Sequence, residues 1–128
     1  MKTRLLIGIC VAASSLLAQK QVVMTTPGAP ETVYQTILKQ LKTDGLELDS
    51  ASLDAGIQTS LVITGKVRQT GTYSKISFIP AGNQTEIRIA VYEEKRLKAL
   101  RIDPWSEPKL HQERSEAMAF RLKQELGW

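Results

Sequence analysis

Residues 30–64 read PETVYQTILKQLKTDGLELDSASLDAGIQTSLVIT. Within this stretch the spacing of apolar residues changes from helical to alternating, and that change sets the fold class. Val33, Tyr34, Ile37, Leu38 and Leu41 recur at three- and four-residue intervals, which gathers them on one face of a helix. Pro30 suits the first helical turn, where its missing N–H costs nothing. Glu31 sits at the positive end of the helix dipole and Lys42 at the negative end. Gly45 is free to take the left-handed conformation that ends a helix. From Leu46 the period becomes two. Leu46 and Leu48 alternate with Glu47 and Asp49, Asp54-Ala55-Gly56 reads as a turn, and Ile57, Thr59, Leu61 and Ile63 share one face of the next strand.

The same reading extends in both directions. Residues 20–25 form a short strand, and Thr26-Pro27-Gly28-Ala29-Pro30 breaks it. Thr70-Gly71 opens another strand with Ile76 and Phe78 inward and Lys75 and Ser77 outward. Pro80-Ala81-Gly82-Asn83 reads as a loop. Ile87, Ile89 and Val91 then face in, with Glu86, Arg88 and Ala90 facing out. Residues 93–101 fit three readings: an extension of that strand, a further strand, or an irregular crossing. Residues 103–108, rich in proline, interrupt regular structure. A helix follows from about Pro108 to Leu126, with Ser106 as its cap and Gly127 as its end. Its stripe is Leu110, Ala117, Met118, Leu122 and Leu126, widened by Ala119 and Phe120. The expectation is an α+β domain, with an antiparallel sheet of four to five strands in the order β-α-β-β-β-(β)-α. Two amphipathic helices and one half-wet sheet bury their apolar faces most economically with both helices on one side.

The start of the chain has the layout of an export signal. Lys2 and Arg4 precede an uncharged apolar run from Leu5 to Ala13, and small residues follow towards Ala18. The stretch is short of the roughly 20 apolar residues a spanning helix needs. Residues 1–18 are therefore expected to be a signal peptide cut after Ala18, with Ser15 as the alternative point, and residues 20–128 a single domain in the periplasm or outside the cell. Cys10 lies inside the apolar run with Ile9 before it, which does not suit lipidation. It is the chain's one cysteine, so its removal would leave no thiol or disulfide chemistry. The net charge is +4, and Lys2 and Arg4 account for two of those charges. An excess of two on the remainder does not make the basic face that nucleic acid requires.

The pattern Val33-Tyr34, Ile37-Leu38, Leu41, Gly45-Leu46 and Asp54-Ala55-Gly56-Ile57 resembles the helix-grip domains of the C-subunit lipoprotein of the outer-membrane β-barrel assembly machine. Small exported bacterial proteins show similar patterns. The likeness covers residues 22–126 in element order and residues 33–63 in specific positions. It implies a curved antiparallel sheet gripping a long C-terminal helix, and a binding role.

Catalytic constellations are sparse. His111 is the only histidine, and it stands among Gln112, Glu113 and Arg114 at the start of a polar helix face without the positioned partners a general base needs. Glu93 and Glu94 point to opposite faces if they lie on a strand, so they do not make a metal site. No phosphate-binding glycine loop opens a helix. No cofactor is expected. Lys95, Arg96, Lys98 and Arg101 form the densest cationic run and fit either anionic headgroups or a solvated edge; flanking Glu93, Glu94 and Asp103 favour the edge. Trp105 and Tyr92 suit the lid of a core or the mouth of a groove. The expected function is a non-enzymatic binding or accessory module of the cell envelope, acting through protein contacts. The alternatives are a carrier of a small apolar ligand between sheet and helix, and a small hydrolase with a site assembled in space.

Overall fold

The computed structural model describes residues 21–97 and 105–128. The expected signal peptide, and the Lys98 and Arg101 half of the cationic run, lie outside the described residues. In chain order the elements are β1 (Val22–Pro27), α1 (Pro30–Thr43), β2 (Leu48–Ser52), β3 (Gly56–Thr59), β4 (Val62–Thr64), β5 (Arg68–Ala81), β6 (Gln84–Leu97), β7 (Lys109–Leu110) and α2 (Gln112–Leu126). All pairings are antiparallel, in the order β1-β6-β5-β3-β2, with β4 on β5 and β7 on β6. The α+β class is as expected. The strand count is not, because the described residues make seven strands rather than four to five.

The first helix forms where the periodicity places it. Val33, Tyr34, Ile37 and Leu41 are buried, and Pro30 starts the helix. Gly45 closes it at φ +81°, with Gly45 N–H donating to Lys42 O and Leu46 N–H to Leu41 O. This double bond pattern satisfies carbonyls that a helix end leaves free. It also drops Leu46 back onto the core.

The extra strands have specific causes. The run read as one strand over 57–64 breaks after Thr59, whose Oγ1 accepts the Ser74 N–H at 2.8 Å and so takes a ladder donor of β5. Pairing with β5 resumes one residue out of step, between Gln58↔Lys75 in β3 and Val62↔Thr72 in β4. A one-residue slip moves every later side chain to the other face. Ile57 and Thr59 are therefore buried, whereas Leu61 and Ile63, expected beside them, are exposed. The loop expected at residues 80–83 shrinks to Gly82-Asn83, because Pro80 and Ala81 belong to β5. Gly82 has φ +66° and Asn83 a negative φ, as a two-residue hairpin led by glycine requires. Residues 93–97 extend β6, the first of the three readings.

The second helix starts later than expected. Residues 109–110 are extended as β7, and His111, not Ser106, is the cap: its Nδ1 accepts the Arg114 N–H at 3.2 Å. The edge of β6 dictates this. Ser106 N–H donates to Lys95 O, and Ser106 Oγ accepts the Lys95 N–H. Tyr92 and Glu93 pair with Leu110 and Lys109, and His111 N–H donates to Val91 O. The Val91 N–H goes to Ser115 Oγ at 2.8 Å, and that hydroxyl donates to His111 O. The free edge of β6 from Val91 to Lys95 is thus paired by the segment from Ser106 to His111 and by Ser115 of α2. The buried face of α2 is accordingly Ser115, Ala119 and Leu122, with Met118 and Leu126 partly covered. Ala117 and Phe120, assigned to the stripe from sequence, face water. Replacing Ser115 by alanine strands the Val91 N–H in the interior. We expect a loss of about 1–3 kcal/mol, read as a lower urea midpoint, with Ser115→Thr closer to the native value. An unchanged midpoint in Ser115→Ala would remove the hydroxyl from the stability of this edge.

Both helices lie on one face of the sheet. Helix α1 packs on β5 and β6, α2 on β6 and β1, and the helices touch each other. Between them and the sheet lie Met24, Ile57, Ile76, Phe78, Ile87 and Ile89, with Tyr34 set edge-on to Phe78 at 5.5 Å. The core occupies the half of the sheet built on residues 74–80 and 85–91. Strands β5 and β6 are each 14 residues long, and their other half runs on past the helices.

The helix ends meet at a charged cluster. Gln40 Nε2 donates to Asp44 Oδ1 and to Glu125 Oε2, and Arg121 bridges both carboxylates. A hydrogen bond shared with Asp44 raises the pKa of Glu125, and desolvation and the Asp44 charge push the same way. A carboxyl raised in the folded state contributes its stability below the unfolded pKa and loses it as pH rises through the folded value. Glu125→Gln should therefore gain in melting temperature relative to the native chain as pH increases from 4 towards 7 (an acidity window about the usual carboxylate pKa). A difference between the two chains that does not change with pH would contradict this.

Candidate functional site

The half of the β5–β6 ribbon beyond the helices is the most unusual surface among the described residues. It is completed by β4, which pairs only with β5, and by the turn between them. Gly65 sets that turn at φ +95°, where a Cβ would stand 2.1 Å from Arg68 O, so only glycine fits. Leu61 lies over Gly71, which leaves room for its side chain. Val62, Ile63, Val67 and Leu97 are between 46% and 56% exposed, and Leu61 is 36% exposed. Val62 lies on the same face as Thr72, and Ile63 on that of Gly71, so the apolar side chains emerge on both sides of the sheet. Lys66 and Arg68 are exposed among them.

The cationic run contributes here in a divided way. Lys95 and Arg96 lie on β6 opposite Thr70 and Gln69 and point to opposite faces. Lys95 is 72% exposed, with Glu93 at 3.8 Å. Arg96 is held: its Nε donates to Gln69 Oε1 at 2.8 Å, and its guanidinium lies 4.2 Å from the centre of the Trp105 ring. Trp105 is thus a cover for Arg96. Tyr92 stacks on Tyr73 at 5.4 Å, and Lys75 lies 5.6 Å from its ring centre. Arg96 and Tyr92 share the face away from the helices, since they stand an even number of residues apart on one strand. Burial and the nearby Glu94 and Tyr92 raise the pKa of Tyr73.

A second feature is an open depression of about 900 Å3 where β6 meets the start of α2. Glu93, Lys95, Ser106, Lys109 and His111 line it. Glu93 and Glu94 do point apart, as the alternation requires, and Glu93 turns towards α2. Its Oε2 lies 3.4 Å from Arg114 Nε and 4.0 Å from His111 Nε2. His111 spends Nδ1 on the helix cap, and the nearby Ser115 hydroxyl spends both of its bonds on the backbone. The arrangement orients a helix start and balances a carboxylate. A hydrolytic relay would instead need one imidazole nitrogen on a carboxylate and the other on a nucleophile. Among the described residues no group of three metal-ligating side chains comes together.

The exposed tip was only partly legible. Lys95 and Arg96 were singled out as part of a linear run. Lys66, Arg68 and Val67 do not stand out in the sequence, because a strand pairing brings them there. One sequence signal does mark the tip: residues 60–72 contain no aspartate or glutamate. Set against known protein families, characterised proteins and solved structures, the chain matches none.

Proposed function

We propose that this protein is an exported, non-enzymatic binding module of the cell envelope, and that its contact surface is the uncovered end of the β4–β5–β6 sheet. The observation that carries the reading is the gathering of Leu61, Val62, Ile63, Val67 and Leu97 in water at that end. Scattered exposed apolar residues are ordinary, but a group gathered at one uncovered sheet end marks an interaction surface or an aggregation hazard. The use of His111 as a cap and of Ser115 as a backbone partner supports a binding role over hydrolysis. The core supports it over carriage of an apolar ligand. Ile37, Leu41, Ile57, Ile76, Ile87, Ile89 and Leu122 fill the sheet–helix interface at 1% exposure or less.

The test uses the full chain expressed in a Gram-negative host, with the N-terminus of the exported form read by mass spectrometry. Cleavage after Ala18 or Ser15 and retention in the envelope fraction are expected. A Val62→Ser, Ile63→Ser, Val67→Ser variant, changed only at exposed positions, should fold and leave that fraction. An uncleaved chain in the cytosol would overturn the export part of the reading. Equal retention of the variant would overturn the assignment of the tip.

A further inference from the structure

We infer that the uncovered sheet end docks on an anionic lipid surface, with Lys66, Arg68 and Lys95 meeting headgroups while Val62, Ile63, Val67 and Leu97 enter the interfacial layer. This rests on the tip being the contact surface and names its partner. Three observations point to it.

The first is charge. The segment from Ser60 to Thr72 carries Lys66 and Arg68 and no carboxylate. Neither cation makes an ion pair with a described residue. Lys95 stands opposite Thr70 on the adjoining strand and is largely in water. Two acids stand on the adjoining strand: Glu93, which Lys95 shares with Arg114 and His111, and Glu94, opposite Gly71. The end of the sheet therefore keeps an excess of cations, with Lys66 and Arg68 unpaired among the described residues, which complements an anionic surface.

The second is the placement of apolar groups. Val62 and Ile63 are consecutive in β4 and so lie on opposite faces, and Val67 and Leu97 stand at the far end. A protein partner needs a continuous face, on the order of 800 Å2 on each side for a stable contact. A wedge with apolar residues on both sides of an end offers no such face. A bilayer interface is soft and surrounds what enters it, so it can cover both sides at once.

The third is the length of the free edge. Strand β4 has only three residues. That is too short to template an added strand of a partner, and short edges are how proteins avoid such pairing. The backbone at this edge therefore contributes little, and side-chain chemistry decides the partner.

The experiment is vesicle co-sedimentation of the full chain. One set of vesicles is phosphatidylcholine alone, and the other contains phosphatidylglycerol. The native chain should bind the anionic vesicles more strongly and lose that preference as salt shortens the range of the charges. Lys66→Glu, Arg68→Glu, Lys95→Glu should weaken anionic binding by roughly a hundredfold, at about fivefold for each cation removed from the surface. Val62→Ser, Ile63→Ser, Val67→Ser should weaken it as well. All chains share residues 1–20, so the differences report the tip. Charge-reversed and native chains binding alike would overturn the inference. A native chain that ignores anionic vesicles, while the serine variant still leaves the envelope fraction, would also overturn it. The tip would then remain a contact surface for an acidic protein. If native and serine variants are alike in both assays, the tip assignment itself fails.

Discussion

Gly56→Ala should cost about 2–5 kcal/mol, adding left-handed strain of about 1–2 kcal/mol to a clash of about 1–3 kcal/mol. Gly56 opens β3 after the Asp54-Ala55 turn with φ +87°. A Cβ built there lies 2.3 Å from Ile76 O, 3.2 Å from its carbonyl carbon and 3.4 Å from Ser77 Cα. These are backbone atoms of β5, and β5 is fixed along its length by β6. They cannot step aside as the end of a side chain would. The strand would have to lift from β5, and with it the Ile57↔Ile76 pair at the edge of the core. Gly45→Ala provides the control. Gly45 is also left-handed, at φ +81°, but nothing lies within 4 Å of its added Cβ. It should show the strain alone. Urea unfolding of both variants checks the difference, and equal losses would mean that β3 does not approach β5 this closely.

The two glycines also show what a sequence conveys about this fold. The helix of residues 30–43 was readable because its evidence is local: spacing, a proline at one end and a glycine at the other. The turn at residues 54–56 was readable for the same reason. So were the inward faces of β5 and β6, where Ile76, Phe78, Ile87 and Ile89 alternate with polar residues. The break after Thr59 was not, because it arises from a hydroxyl that meets Ser74, 15 residues away in sequence. A strictly alternating pattern runs through the break and conceals it. The start of α2 was misplaced for a comparable reason. Prolines and a serine near residue 106 are good starting signals, but the edge of β6 claims residues 106–111 first. Ser115 was passed over because a serine on a helix face reads as polar, and its burial follows from a donor on another strand.

The candidate site repeats that lesson. A run of cations is visible in one dimension, yet alternation on β6 separates Lys95 from Arg96. Arg96 is then taken up by Gln69 and Trp105. Lys66 and Arg68, 28 or more residues earlier, replace it in the exposed tip through the pairing of β5 with β6. What decides the surface is therefore the extent to which two long strands outrun the helices that cover them. Removing cover from half a sheet has a cost in exposed apolar area, roughly 25 cal/mol for each Å2. A fold that keeps Val62, Ile63 and Val67 there, when serine or threonine would serve the strands, forgoes that stabilisation at the surface proposed to make contact.

The covered half has to supply the stability that the tip does not, and this makes the core intolerant of truncation. Ile37→Ala is expected to lower stability by about 2–5 kcal/mol, whereas Ile37→Val should cost about 0.5–1.5 kcal/mol. Ile37 is fully buried in the middle of α1, flanked along the same stripe by Val33, Tyr34 and Leu41. The stripe sits against Ile76 and Phe78 of β5 and Ile87 and Ile89 of β6, with Leu122 of α2 on the same core. Deleting three carbons there leaves a hole that rigid strands cannot close, so the cost exceeds simple transfer of the lost atoms. Alanine is the better helix former, which offsets only a few tenths of a kcal/mol. The same truncation at Val62, half in water, should change stability by less than about 0.5 kcal/mol. Denaturant melts of Ile37→Ala, Ile37→Val and Val62→Ala distinguish the two halves of the sheet. If Val62→Ala were as damaging as Ile37→Ala, the tip would belong to the core and could not serve as a contact surface.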